Sequence, residues 1–150
     1  MRAPPVVVLD ANVWGRVVNP RAVGPFRQWY DRLVGSGRSV VLPEIADYEV
    51  RRSLPLLGIG ARRWGEYEEA VDSILYAPLS TPVMRGAAEV WALSRREGRP
   101  FTSEERLDGD AILRAQTLAL GPSDQVAVAT ANVRHIGRYV TAVPWEGLEV

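Results

Sequence analysis

Apolar positions along the chain alternate between two periods. Val6–Leu9, "VVVL", is a continuous apolar run, the mark of a strand covered on both faces. Through 22–34, Val23, Phe26, Tyr30, Leu33 and Val34 recur at helical spacing, and "GSG" closes that helix. "SVVLP" at 39–43 reads as a second buried strand stopped by Pro43, and "EIADYEVRRSL" at 44–54 as a helix ended by Pro55. After the Gly-rich "LLGIG", the residues Trp64, Tyr67, Val71, Ile74 and Leu75 predict a longer helix through 76. "APLS" at 77–80 suggests a brief third strand. Thr81-Pro82 then opens a helix with Ala87, Val90, Trp91 and Ser94 on one face. A further helix over 109–120 stops at Gly121-Pro122, and "QVAVAT" (125–130) and "YVTAV" (139–143) complete the strands.

Strands alternating with helices predict a mostly parallel five-stranded sheet covered on both sides, in one α/β domain spanning all 150 residues. No repeat, low-complexity tract or linker interrupts it. No apolar run approaches the ~20 residues of a membrane span. The opening "MRAPPVVVLD" lacks the build of a signal peptide, so a cytoplasmic protein is expected.

Composition removes several chemistries. There is no cysteine and only one histidine, which excludes disulfides, thiolate nucleophiles and Cys- or His-rich zinc sites. The eighteen basic residues are all arginine and are balanced by eighteen acids. Without lysine there is no Schiff base, P-loop lysine or lysine general base. A net charge of zero neither demands nor forbids nucleic acid, because a local patch suffices. The arginine pairs at 51–52, 62–63 and 95–96, with Arg99, are candidate phosphate contacts, and Trp64 and Tyr67 beside one pair can stack bases or fill the core.

Sites in open α/β sheets form beyond the carboxyl ends of the strands. Asp10 stands at one such end, where it can cap a helix or serve chemistry; Thr130 and Asn132 stand at another. Glu49 falls on the inward stripe of the 44–54 helix, one turn beyond Ile45, where its structural alternative is a buried pair with an arginine such as Arg52. Asp47 precedes Arg51 by one turn on what should be the wet side, and Glu44 suits the helix start. Asp110 lies in the first turn of the 109–120 helix, with Asp108 as its N-cap and Leu107, Ala111, Ala115 and Leu118 on its apolar side. Two acids exceed the needs of one cap. Asp10, Glu49 and Asp110 together offer hard oxygen donors without His or Cys, which suit Mg²⁺ or Mn²⁺. Converging carboxylates also need a cation to offset their repulsion. With no other nucleophile set available, metal-assisted phosphodiester hydrolysis is the chemistry these residues support.

In order, "VVLDANVW", "LPEIADYEVRRSL", "LDGDAILRAQTLAL" and "VATANVRHI" resemble the PIN-domain family of metal-dependent nucleases, and in particular VapC-type toxin ribonucleases. The resemblance implies an α/β/α sandwich with Asp10, Glu49 and Asp110 as the acids holding one or two Mg²⁺ or Mn²⁺ ions, and Asp108 as a possible extra ligand. It implies RNA as substrate, an antitoxin that covers the site, with the helices between 44 and 76 as clamp, and homodimers. Thr130 matches the family's hydroxyl near the last acid. Position 132 is Asn where many members carry Asp, which removes one charge from a second metal. Asn12 is expected to shape the turn after Asp10, and His135 to pack near the strand end. A haloacid-dehalogenase-type phosphotransferase lacks its second acid here, since Asn12 stands at that position, and it also lacks its lysine. The missing lysine disfavours a response-regulator receiver as well. A PIN domain without turnover, binding RNA or protein, is the alternative.

Overall fold

The valine runs become the middle of a sheet. The computed structural model describes residues 1–97 and 104–150, with only the backbone for 104–107. Arg99 and the side chain of Leu107 therefore lie outside the described residues. Strands β1 (Val6–Leu9), β2 (Ser39–Pro43), β3 (Leu75–Ala77), β4 (Val126–Ala129) and β5 (Thr141–Val143) form one sheet in the order β3-β2-β1-β4-β5. Every pairing is parallel, so the sheet is wholly rather than mostly parallel. Alternate residues of each central strand feed opposite cores. Val7, Leu9, Val40 and Leu42 face one side with helices α1 (Ala11–Val18), α2 (Pro25–Gly35), α3 (Glu44–Arg51) and α4 (Ala61–Asp72). Val8, Val41, Val126 and Val128 face the other, with Leu113 of α6 (Glu104–Leu120) and Ile136 of α7 (Val133–Ile136). Helix α5 (Thr81–Arg96) packs along α6. This is the α/β/α arrangement that the sequence implied.

Several boundaries move. Helix α4 ends at Asp72, not 76, and β3 begins at Leu75, so the third strand precedes "PLS" rather than including it. Leu75 and Tyr76 continue an apolar helical stripe in the sequence, but they lie on an exposed edge strand. Helix α5 is capped by Ser80, whose hydroxyl accepts from the Val83 amide at 3.3 Å, one residue earlier than expected. The helix beginning at 44 stops at Arg51, and Pro55–Leu57 forms a separate 3₁₀ turn. Helix α6 starts at Glu104, so Asp108 and Asp110 sit inside it and neither caps it. Leu118 and Val23 are exposed rather than core residues. Helix α1 follows Asp10 directly, so the capping role open to Asp10 in the sequence is taken up.

Candidate active site at the carboxyl edge of the sheet

Strand register assembles the first half of the site. Leu9 of β1 pairs with Ala129 of β4, so the next residues of each strand, Asp10 and Thr130, emerge side by side. The Asp10 amide donates to the Ala129 carbonyl at 3.1 Å, which extends the ladder to the edge. There Asp10 turns the chain into α1 as its N-cap, with Oδ1 accepting from the Ala11 amide at 2.7 Å. Its Oδ2 accepts from the Thr130 hydroxyl at 2.6 Å and from Asn12 Nδ2 at 2.8 Å. Asp10 is buried at 9% exposure, and these donors satisfy its charge at the lip of the core.

Asn12 and Thr130 carry the network onward. Asn12 Oδ1 accepts from the Ala131 amide at 2.9 Å, and Thr130 Oγ1 accepts from the Asn132 amide at 2.9 Å. Asn12 therefore ties the start of α1 to the loop after β4, a partner 119 residues away. The sequence places Asn12 in the turn after Asp10, but the amide it binds belongs to the loop after β4. The Asn132 side chain is exposed and makes no capping bond to α7. The backbone carbonyl of His135 accepts a hydrogen bond from buried Arg114 of α6, which ties α7 to the helix bearing Asp110.

The second half lies between α3 and α6. Helix α3 leaves β2 at Pro43 and packs on α1, with Val50 Cγ2 3.8 Å from where a Cβ on Gly15 would stand. Its half-buried Glu49 reaches across to α6, where a Cβ on Gly109 would come within 2.6 Å of Glu49 Oε1. Glycine at 109 thus lets the Glu49 carboxylate seat against the turn that carries half-buried Asp110 and exposed Asp108. Glu49 accordingly faces inward, as its stripe predicted. Asp110 also acts electrostatically on Arg114, whose guanidinium burial holds below its ordinary proton affinity.

Asp47 corrects the expectation of a wet surface pair. Its ion pair with Arg51 is present at 3.2 Å, but the carboxylate is buried at 5% exposure. It accepts from the hydroxyls of Tyr67 at 2.7 Å and Tyr76 at 2.8 Å. Burial first, and then the bond to Asp47, pushes both phenols well above the ordinary tyrosine range. The indole of Trp14 in turn donates to the Tyr67 oxygen at 3.1 Å. Five of the paired arginines are engaged: Arg51 with Asp47 and Glu68, Arg62 and Arg63 with Glu66, Arg52 over Tyr48 and Arg95 over Trp91. Tyr67 is core, which leaves half-buried Trp64 as its aromatic neighbour, at 6.3 Å between ring centroids.

The structure thus brings together Asp10, Thr130, Asn12 and the Asn132 backbone, and separately Glu49 with the 108–110 turn. Among the described residues, no three Asp, Glu or His side chains gather as a ready metal-holding group. The donor chemistry fits a hard divalent ion: oxygen ligands on rigid elements at one sheet edge, with a Cβ-free approach at Gly109.

No family model matches the chain, and no curated protein is detectably similar in sequence. Solved structures do share its fold. A chain of VapBC2 from Rickettsia felis, crystallised with a DNA fragment from its promoter, superposes with a TM-score of 0.74 at 10% identity, covering 93% of this chain and 98% of its own. FitAcB from Neisseria gonorrhoeae gives 0.68 at 20% identity, covering 95% and 99%. VapBC-1 from nontypeable Haemophilus influenzae gives 0.67 at 16% identity, covering 94% and 98%. The fold is therefore that of the VapBC and FitAB structures, in keeping with the resemblance to VapC-type PIN domains.

Proposed function

We propose that the protein is a Mg²⁺- or Mn²⁺-dependent endoribonuclease and the toxin of a toxin–antitoxin pair. The observation that carries this reading is the meeting of Asp10 and Thr130 across the β1–β4 register at the carboxyl edge of the sheet, with Glu49 seated against the Asp108–Asp110 turn. Asp10, Glu49 and Asp110 are the residues to hold the ion, with Asp108 as an extra ligand. A divalent ion held there supplies an acidified water as nucleophile and positive charge for the leaving oxygen. Thr130 and Asn12 orient Asp10, and the exposed Asn132 carboxamide stands where it can contact substrate or water.

RNA as substrate follows the resemblance to VapC-type ribonucleases; its phosphodiester, like that of single-stranded DNA, is open to in-line displacement by a metal-activated water. The full-length structural likeness to VapBC and FitAB chains supports an antitoxin partner, and homodimerisation belongs to the same reading. Described helices include none long and apolar enough to cross a membrane. The test is cleavage of a mixed-sequence single-stranded RNA with Mg²⁺, Mn²⁺ or EDTA. Cutting with either metal that EDTA abolishes is expected. A folded protein that cuts neither RNA nor single-stranded DNA under any metal points instead to a binding module or to a very narrow target such as one structured tRNA.

A further inference from the structure

Helix α3 begins without a cap of its own. Its N-cap is Pro43, which makes no side-chain capping bond, and the first amides of a helix need acceptors from elsewhere. One comes from another helix. Gln116 of α6 accepts on Oε1 from the Ile45 amide at 3.2 Å, while its Nε2 donates to the Ala77 carbonyl at the end of β3 at 2.7 Å. Gln116 is only 2% exposed. One partner is a donor and the other an acceptor, so the two bonds fix the carboxamide orientation and use both its ends.

The consequence reaches the acidic site. Ile45 and Glu49 are one turn apart on the same side of α3. Ile45 meets α6 at Gln116, and Glu49 meets it at Gly109, so the two helices run antiparallel with one contact at each end of the shared stretch. A buried apolar side chain would fill the space at 116 equally well, but it would not fix how α3 lies on α6.

We propose that Gln116 is a positioning residue: by capping α3 in trans it sets the approach of Glu49 to the turn carrying Asp108 and Asp110. This rests on the reading of those carboxylates as a metal-holding set. The test is Mn²⁺ affinity of the full chain, followed by the paramagnetic resonance of free Mn²⁺, beside RNA cleavage across a Mn²⁺ titration. Gln116→Met is expected to bind Mn²⁺ about 10-fold more weakly, the lower end of outer-shell effects. Its cleavage should recover at saturating Mn²⁺ with the KM for RNA unchanged. Gln116→Glu keeps the acceptor for the Ile45 amide and, with its buried carboxyl protonated, a donor for the Ala77 carbonyl, and should stay within about 3-fold of the parent. Gln116→Asn, too short to span both partners but open to water, carries the Met prediction if the Met variant does not fold. Trp29→Phe, which removes a bond to the Leu148 carbonyl on the opposite core, should lower stability without moving Mn²⁺ affinity. Wild-type affinity in Gln116→Met and Gln116→Asn, or an equal loss of Mn²⁺ affinity in Gln116→Met and Trp29→Phe, overturns the proposal and leaves the metal reading standing. A parent chain that binds no Mn²⁺, or whose binding survives Glu49→Gln, overturns the metal reading itself and this proposal with it.

Discussion

Thr130 donates its hydroxyl to Asp10 Oδ2 across 2.6 Å, joining residues 120 apart in sequence. The bond exists because the parallel register of β1 and β4 delivers both residues to the sheet edge on the same level. Its partner is a buried charge, so it belongs to the stronger class of hydrogen bond. Thr130→Val keeps the shape and removes the hydroxyl, and should cost about 1–3 kcal/mol in urea unfolding. Thr130→Ser restores the donor and should come back to within about 1 kcal/mol of the parent. Equal stability of the Val variant and the parent would show that the bond is not formed in solution.

Gly109→Ala separates stability from function. The added methyl group suits a helix interior, where Ala is favoured over Gly by about 1 kcal/mol. It also stands 2.6 Å from Glu49 Oε1, so the carboxylate must swing away. The variant should melt no lower than the parent yet cleave RNA at least about 10-fold more slowly, the scale of effect expected from misplacing a group by an ångström. Undiminished cleavage would show that the seat of Glu49 against this turn is not used.

Asp47 is the keystone of a polar cluster rather than a surface acid. Asp47→Ala leaves the Tyr76 hydroxyl without its acceptor and Tyr67 with only the Asp47 backbone carbonyl, at 3.4 Å. A loss of about 2–4 kcal/mol is expected from those unsatisfied groups. Arg51 contributes less, because it is 35% exposed and keeps Glu68. Calorimetry of the variant beside Asp47→Asn, which retains an acceptor, should rank parent, Asn and Ala in falling order.

The same cluster sets the alkaline limit. Burial, and then the Asp47 bond, raises Tyr67 and Tyr76 above the ordinary tyrosine value, and burial raises Tyr30 as well. A folded state that keeps protons the unfolded chain releases is stabilised in full below the unfolded pKa of about 10, and loses that contribution as pH climbs through the raised values. The unfolding free energy should therefore decline above pH ~10, and more steeply in the parent than in a Tyr67→Phe/Tyr76→Phe double variant. Parallel declines would place the limiting groups elsewhere.

The residues show which parts of this structure a sequence can announce. Val6–Leu9, Ser39–Pro43 and Val126–Ala129 were legible because strands buried on both faces must be apolar throughout. Asp10, Glu49 and Thr130 were legible as site candidates because each sits at a strand end or on an inward stripe. Edge strand β3 was misplaced because its exposed Leu75 and Tyr76 answer to neighbours across β2, not to a local period. The burial of Asp47 could not be read locally, since its hydroxyl partners lie 20 and 29 residues away. Gln116 gave no signal at all: an isolated polar residue in a helix looks like surface until the strand end and helix start that it bridges are in place.

Asp10→Asn is the sharpest test of the proposal that the acids at the carboxyl edge hold a metal for RNA cleavage. The substitution keeps the side-chain shape and the Ala11 cap oxygen while removing the charge and the oxygen that accepts from Thr130 and Asn12. Purified parent and variant, both confirmed folded, are to be compared on mixed-sequence single-stranded RNA across Mg²⁺ and Mn²⁺. The account predicts metal-dependent cutting by the parent and a loss of at least about 100-fold in the variant, the scale of removing a group that acts in the transition state. A folded variant that cuts as fast as the parent, or cutting that persists in EDTA, would contradict it.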